Sequence, residues 1–371
     1  MRVNSLKLVN YRNYQELELA FQPALNIFIG CNAQGKTNIL EAVYYAACGS
    51  SFRGNSDGEL IKWNADGGSI SLGFSRLEVA NQLDFAFRRD KRRTIVYNGQ
   101  KIPLRELIGA FNVVLFAPDD LLLIKGAPAG RRKFLDMEIS QASPAYYREL
   151  ITYNRLLQQR NSLLKEIREG KSKAGMLEFW NPQLAASAAK ITAKRLEAVQ
   201  KFNMLANLMQ RRISGNEENL SLSYQIKGME NGQLAENMEI WYNEMLHGLN
   251  NEEIYRGVTC VGPHRDDIIV SVNGINLKSF GSQGQQRTAV LSMKLSELEF
   301  IRSETGEYPV LLLDDVMSEL DAGRRQQLLN FIEREGIQTL ITATDEAYFQ
   351  QAPLKPYFQV EAGQVKVVNK V

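Results

Sequence analysis

An α/β fold of mixed β-sheet and helices, with a helical hairpin inserted into it, follows from three features of the 371-residue sequence. GCNAQGKT, Gly30 to Thr37, sits between an apolar run and a helical pattern. VLLLDD, an apolar run ending in Asp314 and Asp315, lies near the other end of the chain. Between them, from about Ala145, apolar residues recur at three- and four-residue steps for roughly seventy residues, the period of a helix rather than a strand.

Bulk composition narrows the class only a little. Hydrophobic residues make up 44% and charged residues 23%, ordinary values for a globular protein. The balance of 44 basic to 42 acidic side chains gives a net charge of +2, which argues for no partner, although charge can still cluster locally. Cys31, Cys48 and Cys260 are far apart and show no metal-ligand spacing, which fits a reducing cytoplasm rather than a disulfide framework. The N-terminal MRVNSLKLVNYRNYQ has no apolar signal core, and no stretch approaches the roughly 18 apolar residues of a membrane span. The expectation is a cytoplasmic protein without a membrane partner.

In chain order, a strand with Leu6 and Leu8 leads through a turn at NYRNY (Asn10 to Tyr14) into a strand where Leu17, Leu19 and Phe21 alternate with polar residues. Ala24 to Ile29 reads as a buried strand, and Asn38 to Ala47 as a helix with Ile39, Leu40, Val43 and Tyr44 on one face. The Gly-x4-Gly-Lys-Thr spacing between them fits a phosphate-binding loop, whose glycines let successive N–H groups turn inward. The helix opening at Thr37 adds its positive dipole end. Gly30, Asn32, Gly35, Lys36, Thr37 and Asn38 are therefore nucleotide-binding candidates. Lys36 would reach the β/γ-phosphates and the Thr37 hydroxyl would ligate Mg2+. Cys31 is better explained as a tolerated loop position than as a reactive thiol. Arg12, in the first turn, and Arg53, in SSFRG, could each face the nucleotide or be simply solvated.

From Ser69 to Ile102 the alternation is that of strands, with Asn98-Gly99 as a hairpin turn. RRDKRR interrupts it with five basic residues in six: Arg88, Arg89, Lys91, Arg92 and Arg93. These are DNA-phosphate candidates, the alternative being a solvated hairpin loop. Val113 to Asp136 contains a buried strand ending at Pro118, a helix-like LLLIK, and a Gly/Pro-rich segment carrying Arg131, Arg132 and Lys133 that is expected to be a loop. The helical period then sets in, breaks at GKSKAG (Gly170 to Gly175) and resumes. It predicts two antiparallel helices of roughly 35–45 Å, with Pro182 near the start of the second. A strand over Leu220–Gly228 and a helix over Met238–Leu249 follow. The β signal returns after Tyr255 through GVTCVGPHRDDIIVSVNGINL, with a second hairpin turn at Asn273-Gly274. A helix from Thr288 to about Ser303, the VLLLDD strand, a helix over Arg324–Glu335 and a strand at Thr339–Thr344 complete the pattern. At the end of VLLLDD, Asp314 is placed to hold Mg2+ and Asp315 to orient or deprotonate an attacking water.

SQGQQR resembles the signature of ABC-type ATPases: Ser282, Gly284 and Gln285 match its Ser-Gly-Gly-Gln core, and Gln283 replaces the first central glycine. Ser318 to Asp321 resembles the D-loop of that superfamily. Four passages bring the resemblance closer, to the RecF family of bacterial DNA replication and repair proteins, relatives of the SMC proteins. They are NYRNY with GCNAQGKTN, PDDLLLIKGAPAGRRKFLD, GPHRDD, and SQGQQR with LLLDDVMSELDAGRRQQL.

The resemblance implies an ABC-type P-loop ATPase head in two parts, residues 1–137 and 255–371, around a helical arm at residues 138–254. It implies ATP and Mg2+ as ligands, with the signature of one protomer capping the nucleotide of the other in a homodimer. It further implies binding of double-stranded DNA near single-strand gaps and junctions, action with RecR and RecO to load RecA, a part in the SOS response, and weak DNA-dependent ATPase activity. Asp315 stands where transporters have Glu, and Thr344 where they have a switch His; both departures favour slow turnover. No glutamine occupies the expected Q-loop near Phe116 to Asp120, where Asp119 or Asp120 could substitute. An ABC subunit of a transporter and a clamp whose hydrolysis is incidental are the competing classes.

Overall fold

The computed structural model describes residues 1–54, 56–230, 235–349 and 357–368. The chain divides into two compact units, Met1–Asp120 with Lys294–Val371, and Leu121–Met293.

The first unit contains two six-stranded sheets among the described residues. One runs in the order Gln364–Val368, Tyr357–Glu361, Leu25–Ile29, Thr339–Ala343, Val310–Asp314, Val113–Phe116. Its strands are parallel except for the edge strand Gln364–Val368. Val310–Asp314 and Thr339–Ala343 are buried along their whole length, which is why they read as near-continuous apolar runs rather than as alternation. Parallel pairing also fixes where chemistry can gather. Leu25–Ile29 and Val310–Asp314 flank Thr339–Ala343 and point the same way, so Gly30 and Asp314 emerge at one edge. The other sheet is antiparallel, in the order Tyr14–Ala20, Arg2–Tyr11, Gly67–Arg76, Val79–Arg88, Lys91–Tyr97, Gln100–Lys101. Its alternating burial leaves one face on the core, with Ile70, Leu72, Phe74, Leu83 and Phe85 inside. Asn98 and Gly99 both take positive φ, 49° and 80°, as a two-residue hairpin requires.

The second unit is built on the helices Pro144–Arg168 and Leu177–Ile213. The break falls at Gly170, whose φ of 73° ends the first helix. The second helix, at 37 residues, spans about 55 Å and is longer than the spacing predicted. A three-stranded sheet, Ile275–Asn276, Asp267–Val272, Leu220–Gln225, completes this unit. Asn273-Gly274 is its turn, at φ 49° and 79°. Arg160 is fully buried between the helices, paired with Glu253 at 2.7 Å and bonded to Asn181 and Thr259 at 2.9 Å each.

Four expectations are corrected. The Gly/Pro-rich stretch around Arg131, Arg132 and Lys133 is not a loop but the helix Pro128–Ala142. Pro128 occupies its first turn, where its missing N–H costs nothing. The helix expected from Thr288 begins at Gln283, inside the signature motif. GVTCVGPHR is not extended; the strand starts at Asp267. The unit holding the helical hairpin extends well beyond residues 138–254, because Asp267–Val272 pairs with Leu220–Gln225 and draws the later segments in. No helix among the described residues is long and apolar enough to cross a membrane.

Candidate functional site

The loop Gly30–Gly35 is delivered by the strand Leu25–Ile29 and ends in the helix Lys36–Cys48. Two glycines are required by space as well as by backbone angle. A Cβ on Gly30 would lie 2.2 Å from the Val360 carbonyl oxygen. Gly35 sits at φ 116°, and a Cβ there would meet Asn13 Nδ2 at 2.6 Å and Tyr14 Oη at 2.7 Å. The NYRNY turn braces the loop from outside. Asn13 Nδ2 donates to the Gln34 carbonyl (2.9 Å), Tyr14 Oη to the Gly35 carbonyl (3.0 Å), and Asn38 Nδ2 to Asn13 Oδ1 (2.8 Å). Asn32 and Cys31 are exposed on the loop. Lys36 Nζ donates to the carbonyls of Gly30 (2.7 Å) and Cys31 (2.8 Å) from a buried position. Burial holds the Lys36 amine below its usual pKa, against the pull of Asp315 and Asp314.

The carboxylates arrive from the other end of the chain. Asp314 Oδ1 accepts from Thr37 Oγ1 at 2.8 Å and from Thr342 Oγ1 at 2.9 Å. The Thr342 hydroxyl also accepts from the Asp315 N–H at 2.9 Å, so one side chain registers both acids. Asp315 itself is left-handed, φ 54°, a strained conformation for a residue with a side chain. Its Oδ1 is buried without a hydrogen-bond partner. Burial pushes the Asp315 carboxyl up, Lys36 draws it down, and Asp314 adds repulsion.

Arg12 is not a solvated turn residue. Its guanidinium grips Glu41 in bidentate fashion, at 2.6 and 2.8 Å, and donates to the Glu59 carbonyl at 3.0 Å. Glu41 is fully buried on the helix that follows the loop and also accepts from Ser51 Oγ at 2.6 Å. Arg53 donates to Asn38 Oδ1 at 3.0 Å and lies 4.0 Å from Glu41. Both arginines thus attach to the helix that starts at Lys36. At the Q-loop position, Asp119 is exposed, whereas Asp120 accepts from the Ala117 N–H at 2.8 Å and lies 3.9 Å from Lys294 Nζ.

In the second unit, Ser282 and Gln285 form a reciprocal capping box. Ser282 Oγ accepts from the Gln285 N–H and Gln285 Oε1 from the Ser282 N–H, both at 3.2 Å. Gln285 Nε2 also donates to Glu218 at 3.1 Å. Ser282, Gly284 and Gln285 therefore stand at a helix N-terminus with its amides oriented. The GRRKFLD and GPHRDD segments meet in the same unit. Arg131 pairs with Asp267 at 2.7 and 2.9 Å, Arg132 donates to the Asp266 carbonyl at 2.7 Å, and Arg195 pairs with Asp136 at 2.9 Å. A cavity of about 410 Å³ between them is lined by Arg132, Lys133, Tyr147, Tyr153 and His264.

The basic run splits by role. Arg93 pairs with Asp57 at 3.0 Å and bonds to Tyr45 Oη. Arg89 donates to the carbonyls of Ala65 (3.0 Å) and Lys62 (3.3 Å). Arg88, Lys91 and Arg92 are exposed and make no ion pair among the described residues. The residues that sequence reasoning passed over are Asn13, Tyr14, Glu41 and Thr342. The NYRNY string could have pointed to the first two; nothing local marks Thr342.

The family model described as RecF/RecN/SMC N terminal domain matches residues 2–368. The chain is 43% identical over 377 residues to the DNA replication and repair protein RecF of Alkaliphilus oremlandii, covering 98% of this chain and 100% of that one. It is 45% identical over 349 residues to RecF of Halothermothrix orenii, covering 93% and 92%. Among solved structures, the recombination mediator protein RecF with ATP, of the RecFOR pathway, is 34% identical with a TM-score of 0.92 and covers 99% of this chain and 97% of that one. An Smc head bound to the C-winged helix domain of ScpA, at 15% identity and a TM-score of 0.58, covering 99% and 97%, shares the fold.

Proposed function

The chain belongs to the RecF family, and on that premise we propose an ATP-dependent DNA-binding clamp of recombinational repair in which nucleotide binding closes two copies on double-stranded DNA. The observation that carries the reading is the meeting of Thr37, Asp314 and the unpartnered Asp315 Oδ1 at one sheet edge, beside a loop with no room for a side chain at Gly30 or Gly35.

The residues fit a magnesium nucleotide. The loop amides, the start of the helix at Lys36 and the Lys36 amine would hold the phosphates of ATP; Asn32 and Asn38 flank them. Thr37 Oγ1 and Asp314 would hold Mg2+, which when bound offsets charge on the β- and γ-phosphates. Lys36 Nζ rests on two loop carbonyls and can exchange them for phosphate oxygens. Asp315 is the base: its Oδ1 has no competing donor, and a pKa held above the ordinary carboxylate value makes it a stronger proton acceptor than a solvated Asp. With one methylene less than Glu and no imidazole after the Thr339–Ala343 strand, turnover is slow and hydrolysis works as a release step.

Ser282, Gly284 and Gln285 of one copy cap the nucleotide of the other, their helix N-terminus meeting the γ-phosphate. Arg88, Lys91 and Arg92 contact DNA phosphates, while Arg89 and Arg93 hold the hairpin in place. On this reading the setting is cytoplasmic repair and the SOS response, near single-strand gaps and junctions, with RecR and RecO, in support of RecA loading.

Light scattering with ATP or a nonhydrolysable analogue, each with and without duplex DNA, tests the reading. Dimers that need nucleotide, and that Lys36→Met abolishes, are expected. A wild-type protein that stays monomeric in all four conditions overturns it.

A further inference from the structure

One large aromatic side chain near the basic hairpin has no part in the site above. Trp63 is 86% exposed. It sits in the turn Lys62–Ala65, which the Ala65 N–H closes by donating to the Lys62 carbonyl at 3.1 Å, with Asn64 left-handed at φ 65°. The turn does not hang free. The Lys62 N–H donates to the Asn10 carbonyl (2.8 Å), and Lys62 Nζ to the Asn13 carbonyl (2.9 Å). From the other side, the Arg89 guanidinium ties the carbonyls of Lys62 and Ala65. Those two residues bracket Trp63, so the hairpin that carries the basic run and the turn that carries the indole are fastened by one side chain. The indole is thereby held out in water on a braced turn, and the pairing of Gly67 with Arg88 and of Arg88 with Lys91 brings the exposed Arg88, Lys91 and Arg92, with Asp90 among them, to the end of the sheet next to that turn.

That combination selects its ligand class. The chain neighbours of Trp63, Asn64, Ala65 and Asp66, add no exposed apolar side chain, so the turn offers a protein no apolar surface beyond the indole itself. An exposed π-face on a braced turn near unpaired cations is an arrangement that binds single-stranded nucleic acid, with bases on the ring and phosphates on the cations. In a duplex the base faces are already stacked on one another except at the terminal pairs, so an aromatic platform has nothing to offer the interior of double-stranded DNA.

We propose that Trp63 stacks on an unpaired base of the single-stranded side of a DNA junction, while Arg88, Lys91 and Arg92 hold the adjoining phosphates. This rests on the reading that the hairpin contacts DNA. It makes the junction preference a property of one turn and one hairpin.

The test uses the full chain and three probes: a blunt duplex, the same duplex with an oligothymidine overhang, and ATP alone. Trp63 supplies the exposed indole signal, isolated as the difference between the wild type and Trp63→Phe. The overhang is expected to quench it and the blunt duplex is not. Trp63→Ala is expected to weaken overhang binding about 5- to 150-fold with blunt-duplex binding nearly unchanged, and Trp63→Phe to restore most of the loss. Unchanged overhang affinity in Trp63→Ala, with duplex binding intact, overturns the proposal. So does full quenching by ATP alone, which would put the indole on the bound nucleotide. The underlying reading has its own readout: if Arg88→Glu/Lys91→Glu/Arg92→Glu leaves blunt-duplex affinity and its salt dependence unchanged, the hairpin does not contact DNA.

Discussion

Replacing Asp315 by Asn keeps the side-chain shape and removes the proposed base. Burial holds this carboxyl above its ordinary pKa even with Lys36 attracting it, and its Oδ1 has no partner. The sign of the stability effect follows. A carboxyl with a raised folded pKa binds its proton more tightly in the native state than in the unfolded one. Its contribution to stability is therefore full below the unfolded pKa and is lost as pH rises through the folded value. At neutral pH the ionised Asp315 is a net cost to the fold, so the neutral Asn leaves the nucleotide-free protein equally stable or more stable, by up to about 1 kcal/mol. Loss of a positioned base costs about 100- to 10,000-fold in rate. Single-turnover ATP hydrolysis should fall by that factor while nucleotide binding and dimer formation persist, and the urea unfolding midpoint should hold or rise. Hydrolysis within about threefold of wild type would remove Asp315 from the chemistry. A stability loss of about 2 kcal/mol or more would make its role structural.

The other expectations test what holds each unit together internally. Thr342→Val keeps volume but deletes the hydroxyl bond to Asp314 and strands the Asp315 N–H. It should cost about 2–4 kcal/mol in urea unfolding and weaken Mg2+-dependent nucleotide binding; a loss below about 0.5 kcal/mol refutes the bridging role. Arg160→Leu leaves the buried Glu253 carboxyl, already pushed up by burial, without its partner. The second unit should lose about 3–5 kcal/mol, read from Trp180 fluorescence, and an unchanged midpoint would mean that Glu253 is satisfied elsewhere. His264 accepts from Tyr153 Oη at 2.6 Å through Nδ1 and donates from Nε2 to the Thr259 carbonyl at 3.2 Å, in the neutral tautomer that satisfies both. Burial, with Arg265, Arg132 and Arg195 adding repulsion, lowers its pKa to about 4. A depressed pKa gives stability that is present above the unfolded value and lost as pH falls. The unfolding free energy measured in urea should thus drop between about pH 6.5 and pH 4, by about 3 kcal/mol in total, and His264→Gln should flatten that slope. An identical slope in the variant refutes the assignment.

How much was legible in the sequence depended on the range of the forces involved. The loop from Gly30 to Lys36 was legible because its cues are local: Gly30 and Gly35 must lack side chains and the helix opens directly after them. Both two-residue hairpins, at Asn98-Gly99 and Asn273-Gly274, were legible for the same reason. The mistaken loop around Arg131 shows the limit of local cues. Pro128 and Gly130 look like breakers, yet proline is harmless in a first helical turn, and the Arg131–Asp267 pair that holds this helix spans much of the chain.

The sequence by itself determined that a glycine loop ending in Lys36, a pair of strand-end carboxylates and an ABC-like signature segment are present. It also determined that a helical hairpin separates them, because period and spacing are written residue by residue. Only the tertiary structure decided what these parts touch. Parallel pairing on either side of Thr339–Ala343 brought Thr37 within 2.8 Å of Asp314. Burial then withheld a partner from Asp315 Oδ1 and raised its proton affinity. The basic run was divided the same way, with Arg93 bound to Asp57, Arg89 fastening the turn of Trp63, and Arg88, Lys91 and Arg92 left to solvent. A charge or a carboxylate in a sequence states only what it can do; its neighbours, the water it has lost and the bonds left unmade decide what it does.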